Sequence, residues 1–245
     1  MNTYFTKFLA VALLGATTTN ANAQQLGFKL GSSLNHWSDL ESSESFSSGD
    51  GYSGTSETGA KKIIGVHFGG TFEYSFNDHF ALNTGLFFRT GGTKYEMLSK
   101  GEYNDGDGTT AFEDSYKLSV KMNQFEIPIV ARIGTEINNV GVYGLIGGFI
   151  NYTFSGKYSY VLDYTMTEQG SEPQRETESG SESFNMDDEF DSPINYGGIL
   201  GFGAEYKNVL LEFSYNFGLA PTLFEDDSAI STHALNLTLG YKFGK

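Results

Sequence analysis

Residues 63–92 read IIGVHFGGTFEYSFNDHFALNTGLFFRTGG. Ile64, Val66, Phe68, Phe72 and Tyr74 share one parity, and Gly65, His67, Gly69, Thr71 and Glu73 share the other. Period two sustained over a dozen residues marks a β-strand with two different faces. After a turn-like step at 75–79 the alternation resumes. Phe80, Leu82, Leu86 and Phe88 now oppose Ala81, Asn83, Gly85 and Arg89. Two such strands joined by a short turn predict an antiparallel hairpin with one apolar face and one small, polar and charged face.

The same rhythm runs outward in both directions. Eight candidate strands lie near 25–36, 62–75, 80–95, 119–134, 140–157, 194–206, 209–219 and 233–243. In the seventh, Val209, Leu211, Phe213, Tyr215 and Phe217 oppose Glu212, Ser214 and Asn216; in the eighth, Leu235, Leu237, Leu239, Tyr241 and Phe243 oppose Asn236, Thr238, Gly240 and Lys242. Each run meets the roughly 9–11 residues a tilted strand needs to cross a bilayer. Three connections are short (75–79, 135–139 and 207–208) and four are long (37–61, 96–118, 158–193 and 220–232). Transmembrane barrels put short turns on the periplasmic side and long loops outside. The expectation is an all-β, eight-stranded antiparallel up-and-down transmembrane β-barrel with long acidic extracellular loops.

Composition agrees. Aromatic residues reach 15% and glycines number 31 in 245 residues, with only 18% charged and 39% hydrophobic. A barrel uses the aromatics at its lipid face and the glycines on its crowded inner wall. There is no cysteine, which excludes disulfides and thiolate metal sites. Tyr74, Phe76, Phe80, Tyr206, Tyr241 and Phe243 are expected at the inner membrane interface. Trp37, Phe88, Tyr95, Tyr152, Phe154 and Tyr196 are expected at the outer one.

The beginning of the chain reads as an export signal. Lys7 precedes the apolar run FLAVALLGA at 8–16, and Ala21, Asn22 and Ala23 give a small-x-small cleavage pattern. The expected division is a signal peptide at 1–23 and an outer-membrane barrel domain at 24–245, in a Gram-negative envelope.

Of 30 Asp and Glu, 24 fall in the four long connections, which places the net charge of −15 on the outer surface. That balance argues against a nucleic-acid partner and leaves outer-membrane lipid, lipopolysaccharide and envelope or secretion-complex proteins as the partners to consider. The third long connection, with TEQGSEPQRETESGSES, has a disordered composition. Inside, parity collects Lys29, Arg89, Arg132 and Lys242 against Glu73, Glu126, Glu205 and Glu212. Four charges of each sign in a lumen only wide enough for side chains predict a paired plug and no permanent pore.

Chemistry-bearing residues are few. His67 faces the lumen as a member of its hydrogen-bond network, and His79 lies in a periplasmic turn. His36 and His233 lie at the outer rim near Ser32, Ser33, Ser231, Asp39 and Asp227, the residue types of a hydrolase or acyltransferase triad. Ser and Asp are commonplace in loops, and the reading is a non-enzyme without cofactor. Ca²⁺ at the acidic loops would draw on Asn104, Asp105, Asp107, Glu113 and Asp114, or on Asp187, Asp188, Glu189 and Asp191, none in an EF-hand pattern. The glycines of GGILGFG, at 197–203, lead into a strand and not a helix, so lumen packing explains Gly197, Gly201 and Gly203 better than a phosphate loop.

The strands together resemble the PorT-like outer-membrane β-barrel family, similar in plan to the small OmpA-type barrels. The matching runs include GVHFGGTFEYSFNDHFALNTGLFFRTGG, FEIPIVARI, NYGGILGFGAEY, LLEFSYNFGL and LNLTLGYKF. The resemblance implies a bulge or kink at Pro128, and a part in protein secretion across the outer membrane. The chain departs from the pattern at Gly85, where the family often has Glu, and at Ser214, where it often has Arg. The resemblance thus implies an inward-facing ion pair lost as a unit.

Overall fold

The computed structural model describes residues 24–37, 42–47, 51–104, 108–184, 193–219 and 232–243, apart from the side chains of Trp37 and Phe184. The expected signal peptide at 1–23 lies outside the described residues. Eleven strands follow in order: β1 (Gln24–Trp37), β2 (Ser42–Ser47), β3 (Tyr52–Lys61), β4 (Ile63–Asn77), β5 (Phe80–Asn104), β6 (Thr109–Ile137), β7 (Val140–Glu168), β8 (Gln174–Phe184), β9 (Ile194–Tyr206), β10 (Val209–Gly218) and β11 (Thr232–Phe243).

Eight of them close a ring in the order β1, β4, β5, β6, β7, β9, β10, β11, every pair antiparallel, with β11 returning to β1. All eight expected strands are present. Closure removes the sheet edge, which is the only way a strand can sit in hydrocarbon with its backbone satisfied. The outward face exposes Leu30, Val66, Phe68, Ile129, Ile146, Leu200, Phe213, Leu237 and Leu239, while Lys29, Glu73, Arg89 and Glu126 are buried. A protein dissolved in water has the reverse arrangement, so the apolar belt faces lipid.

The short turns behave as expected. Asn138 and Asn139, at φ 52° and 65°, make the two-residue turn between β6 and β7, a conformation that asparagine tolerates better than most side chains. At the next turn, the Asn77 carboxamide oxygen accepts from the amides of His79 and Phe80, both at 2.9 Å.

Aromatic rings mark both interfaces. On the turn side Tyr74 and Phe76 approach to 4.9 Å, Phe76 and Phe80 to 5.2 Å, and Tyr241 and Phe243 to 5.5 Å. On the opposite side Phe68 lies 5.3 Å from Phe88, and Phe125 4.9 Å from Phe154.

Four expectations need correction. The long connections are not all loops: β5, β6 and β7 run on for 25, 29 and 29 residues, and β2, β3 and β8 join them. The stretch with disordered composition contains β8, paired with β7 from Gly156↔Phe184 to Met166↔Gln174. A sequence that cannot hold a strand alone holds one against a preformed neighbour; the Thr177 hydroxyl, for example, bonds Asp163 at 2.9 Å. Tyr95 does not join the outer aromatic belt, because strand parity puts it on the axis-facing side with Ser99 and Gly101.

Pro128 causes no bulge. The β5–β6 pairing skips Gly85 and Leu86 opposite Pro128 and Ile127, but the register is the same on both sides. The missing amide donor interrupts the ladder, and the Thr84 hydroxyl bonds the Pro128 carbonyl at 2.7 Å. The register between β6 and β7 shifts instead at Asn123/Gln124, where β7 carries Phe154 as an extra residue between Thr153 and Ser155.

Candidate functional site

Alternation makes the lumen, and the lumen is filled. On the short-turn side Arg132 pairs with Glu73 at 3.1 Å and Glu205 at 2.6 Å, and Lys242 pairs with the same two carboxylates at 2.6 and 2.8 Å. The Arg132 guanidinium also stacks 3.8 Å from the centre of the Tyr143 ring. Deeper in, Lys29 bonds both Glu212 oxygens at 2.9 and 2.8 Å, and Tyr143 donates to one of them at 3.1 Å. Above lies Arg89, which bonds Glu126 at 2.8 Å and the Asn236 carboxamide oxygen at 2.6 Å.

The eight charges expected inside are therefore all paired with one another. Asn216 and Asn236 complete the upper layer by a 2.9 Å bond, and Ser214 accepts from Asn236 at 3.2 Å. An apolar cluster of Val130, Tyr143, Leu145, Phe149 and Ile199 fills the wall between the layers. The cavity left at mid-lumen is about 70 Å³, enough for a water or two and no ligand. A wider vestibule of about 910 Å³ opens at the short-turn mouth, below the Glu73 and Arg132 layer.

The glycines of β9 serve this packing. A Cβ at Gly203 would lie 2.7 Å from the Tyr143 ring, and one at Gly197 2.7 Å from the Phe149 ring. Both strands pass too close for anything larger, so lumen packing accounts for these glycines. The roles of Tyr143, Asn216 and Asn236 were not evident from the sequence, where parity places them inward but only depth in the barrel reveals their partners.

His67 bonds the Thr238 hydroxyl at 2.9 Å through Nε2, inside the network as expected. His36 and His233 are register partners on β1 and β11. Both take the outward parity; His233 meets the Tyr215 hydroxyl at 2.7 Å, ring against ring at 5.7 Å. Ser33 points the opposite way, 1% exposed in the lumen, and so does not meet either imidazole. Asp39, Asp227 and Ser231 lie outside the described residues. Of the Ca²⁺ candidates, Glu113 pairs with Lys100 at 3.1 Å on one face of its strand, and Asp114 by parity takes the other. Asp105, Asp107, Asp187, Asp188, Glu189 and Asp191 lie outside the described residues.

Beyond the ring, on the side away from the short turns, β2, β3, β5, β6, β7 and β8 form a six-stranded sheet, in the region expected outside the cell. Its two faces differ. The face continuous with the lumen carries Phe46, Tyr52 and Phe112, stacked at 5.4 and 5.1 Å, followed by Tyr116, Tyr160 and Tyr164. The face continuous with the lipid belt carries the lysines, several in ion pairs: Lys61 with Glu96, Lys100 with Glu113, and Lys117 with Asp163.

A family model for the outer membrane protein beta-barrel domain matches residues 19–223. Among solved structures, the attachment invasion locus protein Ail of Yersinia pestis is 13% identical, with 89% of this chain and 98% of that chain covered and a TM-score of 0.31. Neisserial surface protein A is 11% identical, covering 89% and 97%, with a TM-score of 0.32. OprG from Pseudomonas aeruginosa is 11% identical, covering 89% and 96%, at a TM-score of 0.29. No curated protein matches the sequence.

Proposed function

The chain belongs to the outer membrane protein β-barrel domain family, and from that premise we propose that it is a non-enzymatic barrel with a plugged lumen. Its work is done at the cell surface, by the extracellular sheet. The observation that carries this reading is the set of ion pairs inside the ring: four cations and four carboxylates, each paired across the lumen. With the lumen closed, the extended strands outside are the part of the molecule able to meet a partner.

The test is electrical. Purified protein in a planar bilayer is expected to give no stable channel, while the same preparation shows heat-modifiable migration on gels. A steady conductance from the heat-modifiable form overturns the reading.

The seat in the membrane supports contact with anionic lipid. Lys61 pairs in register with Lys94, and Lys121 with Lys157, on four successive strands. By parity all four point outward, on the lipid side of the sheet just beyond Phe88, Phe125 and Phe154. A lysine near an anionic surface contributes about 1 kcal/mol. The expected partner is the phosphate-bearing headgroup of lipopolysaccharide. Lys94→Gln with Lys121→Gln should lower lipopolysaccharide retained on the purified barrel by about tenfold or more, from two such contributions. Unchanged retention would remove the lysines from lipid binding.

A further inference from the structure

The sheet beyond the ring carries acids on both faces but confines its described cations to one. Glu44 on β2, Asp114 on β6, and Glu176, Glu178 and Glu182 on β8 share the axis-facing side by register with Ser56, Tyr164, Leu162 and Tyr158. The stacking of Phe46 and Phe112 over Gly54 and Gly101 fixes that parity, as does Tyr160 lying against Gly180. Among the described residues of the sheet, no lysine or arginine lies on this face; Lys61, Lys94, Lys100, Lys117, Lys121, Lys157 and Arg175 all take the other parity. The segments beyond the described residues, between 38 and 231, add twelve Asp and Glu and no Lys or Arg to the sequence.

Aromatic rings stand between these carboxylates. Tyr158 bonds Glu182, and the Tyr160 hydroxyl donates to Glu178 at 3.4 Å, so the hydroxyls lie beside acidic oxygens. Tyr52 and Tyr164 are about two-fifths exposed, open to contact. Asp114 is set among Phe112, Tyr116 and Tyr164, and its Oδ1 is buried with no hydrogen-bond partner. Burial pushes that carboxyl up from the ordinary aspartate value. A carboxylate so placed gains most from an incoming cation, because water solvates it poorly.

We infer that the axis-facing side of this sheet binds a cationic polypeptide segment, its arginine and lysine side chains laid over the tyrosine rings and bonded to the flanking carboxylates. A cation over an aromatic face is attracted by the ring quadrupole, and an ionised carboxylate within reach adds a charge-assisted bond. A single metal ion does not fit the arrangement. The acids are spread from β2 to β8, and among the described residues no three His, Cys, Asp or Glu come together as a metal site. An anionic polysaccharide would be repelled by the same face. An extended chain with basic residues at intervals matches both the spread of the acids and the rings between them.

The inference rests on the reading of the extracellular region as the working part of a closed barrel. Its test uses the full-length protein refolded in detergent and octa-arginine as the probe, with maltoheptaose and CaCl₂ as controls. Saturable 1:1 binding of octa-arginine that weakens with added salt is expected, with no matching response from either control. The variant Asp114→Asn with Glu176→Gln and Glu178→Gln should bind at least tenfold more weakly. Tyr160→Leu with Tyr164→Leu should lose several-fold. Glu102→Gln with Glu113→Gln, on the opposite face, should bind as the parent does.

Absence of octa-arginine binding overturns the inference, and so does equal loss from the two acidic sets. Binding indifferent to the tyrosine pair also overturns it, as does stronger binding of maltoheptaose. Heat-modifiable migration of each variant shows that it is folded. A folded, non-conducting protein that fails to bind defeats this inference alone, whereas a conducting one defeats the functional reading beneath it.

Discussion

Glu126→Ala should destabilise the barrel by about 3–5 kcal/mol, because it leaves Arg89 charged, 4% exposed and without its carboxylate. The remaining bond to Asn236 at 2.6 Å is neutral and does not replace an anion. Asn216, which reaches Glu126 at 3.4 Å, loses a partner in the same step. The companion double variant, Arg89→Met with Glu126→Leu, removes both charges and should recover most of the loss, since a buried pair is often matched by apolar residues of like volume. Urea titration in detergent, scored by the folded and unfolded gel bands, measures both. A single variant costing under about 1 kcal/mol would mean that water reaches Arg89 and that the plug is wet. The plug is what the closed-lumen reading depends on, so this is also its thermodynamic counterpart.

The ring was legible because a barrel writes its two environments in period two. Residues 63–92 show it most clearly: each odd position from Gly65 to Glu73 is polar or small, and the structure buries every one. Parity also placed the eight lumen charges. It could not pair them, because depth along the barrel comes from strand shear, which brings Lys29 to Glu212 across 183 residues of sequence. The sheet beyond the ring is less legible for a different reason: its acidic, Ser-rich composition points to a loop, although Tyr158, Tyr160, Leu162, Tyr164 and Met166 carry the same period straight through it. Composition speaks for an isolated segment, and β8 is not isolated: β7 offers it an edge. Tyr95 takes the inward parity of Arg89 because its strand continues past the rim in the same register.

Leu237→Arg should cost about 2–4 kcal/mol, and Phe243→Arg about 0–1 kcal/mol, although both positions are more than half exposed. In water the two substitutions would be nearly equal and nearly free, because each places a charge on an open surface. In a bilayer they differ by depth. Leu237 lies midway along β11, between Ser32 of β1 and Phe213 of β10, with apolar neighbours above and below on the outward face. Phe243 ends the strand beside Tyr241, in the aromatic belt where a guanidinium can reach headgroups and water. Reversible urea unfolding in lipid vesicles gives the two values, and detergent micelles, which have no fixed midplane, should compress the difference between them. Equal costs in vesicles would contradict the lipid belt itself, because hydrocarbon depth is what separates a charge at Leu237 from one at Phe243.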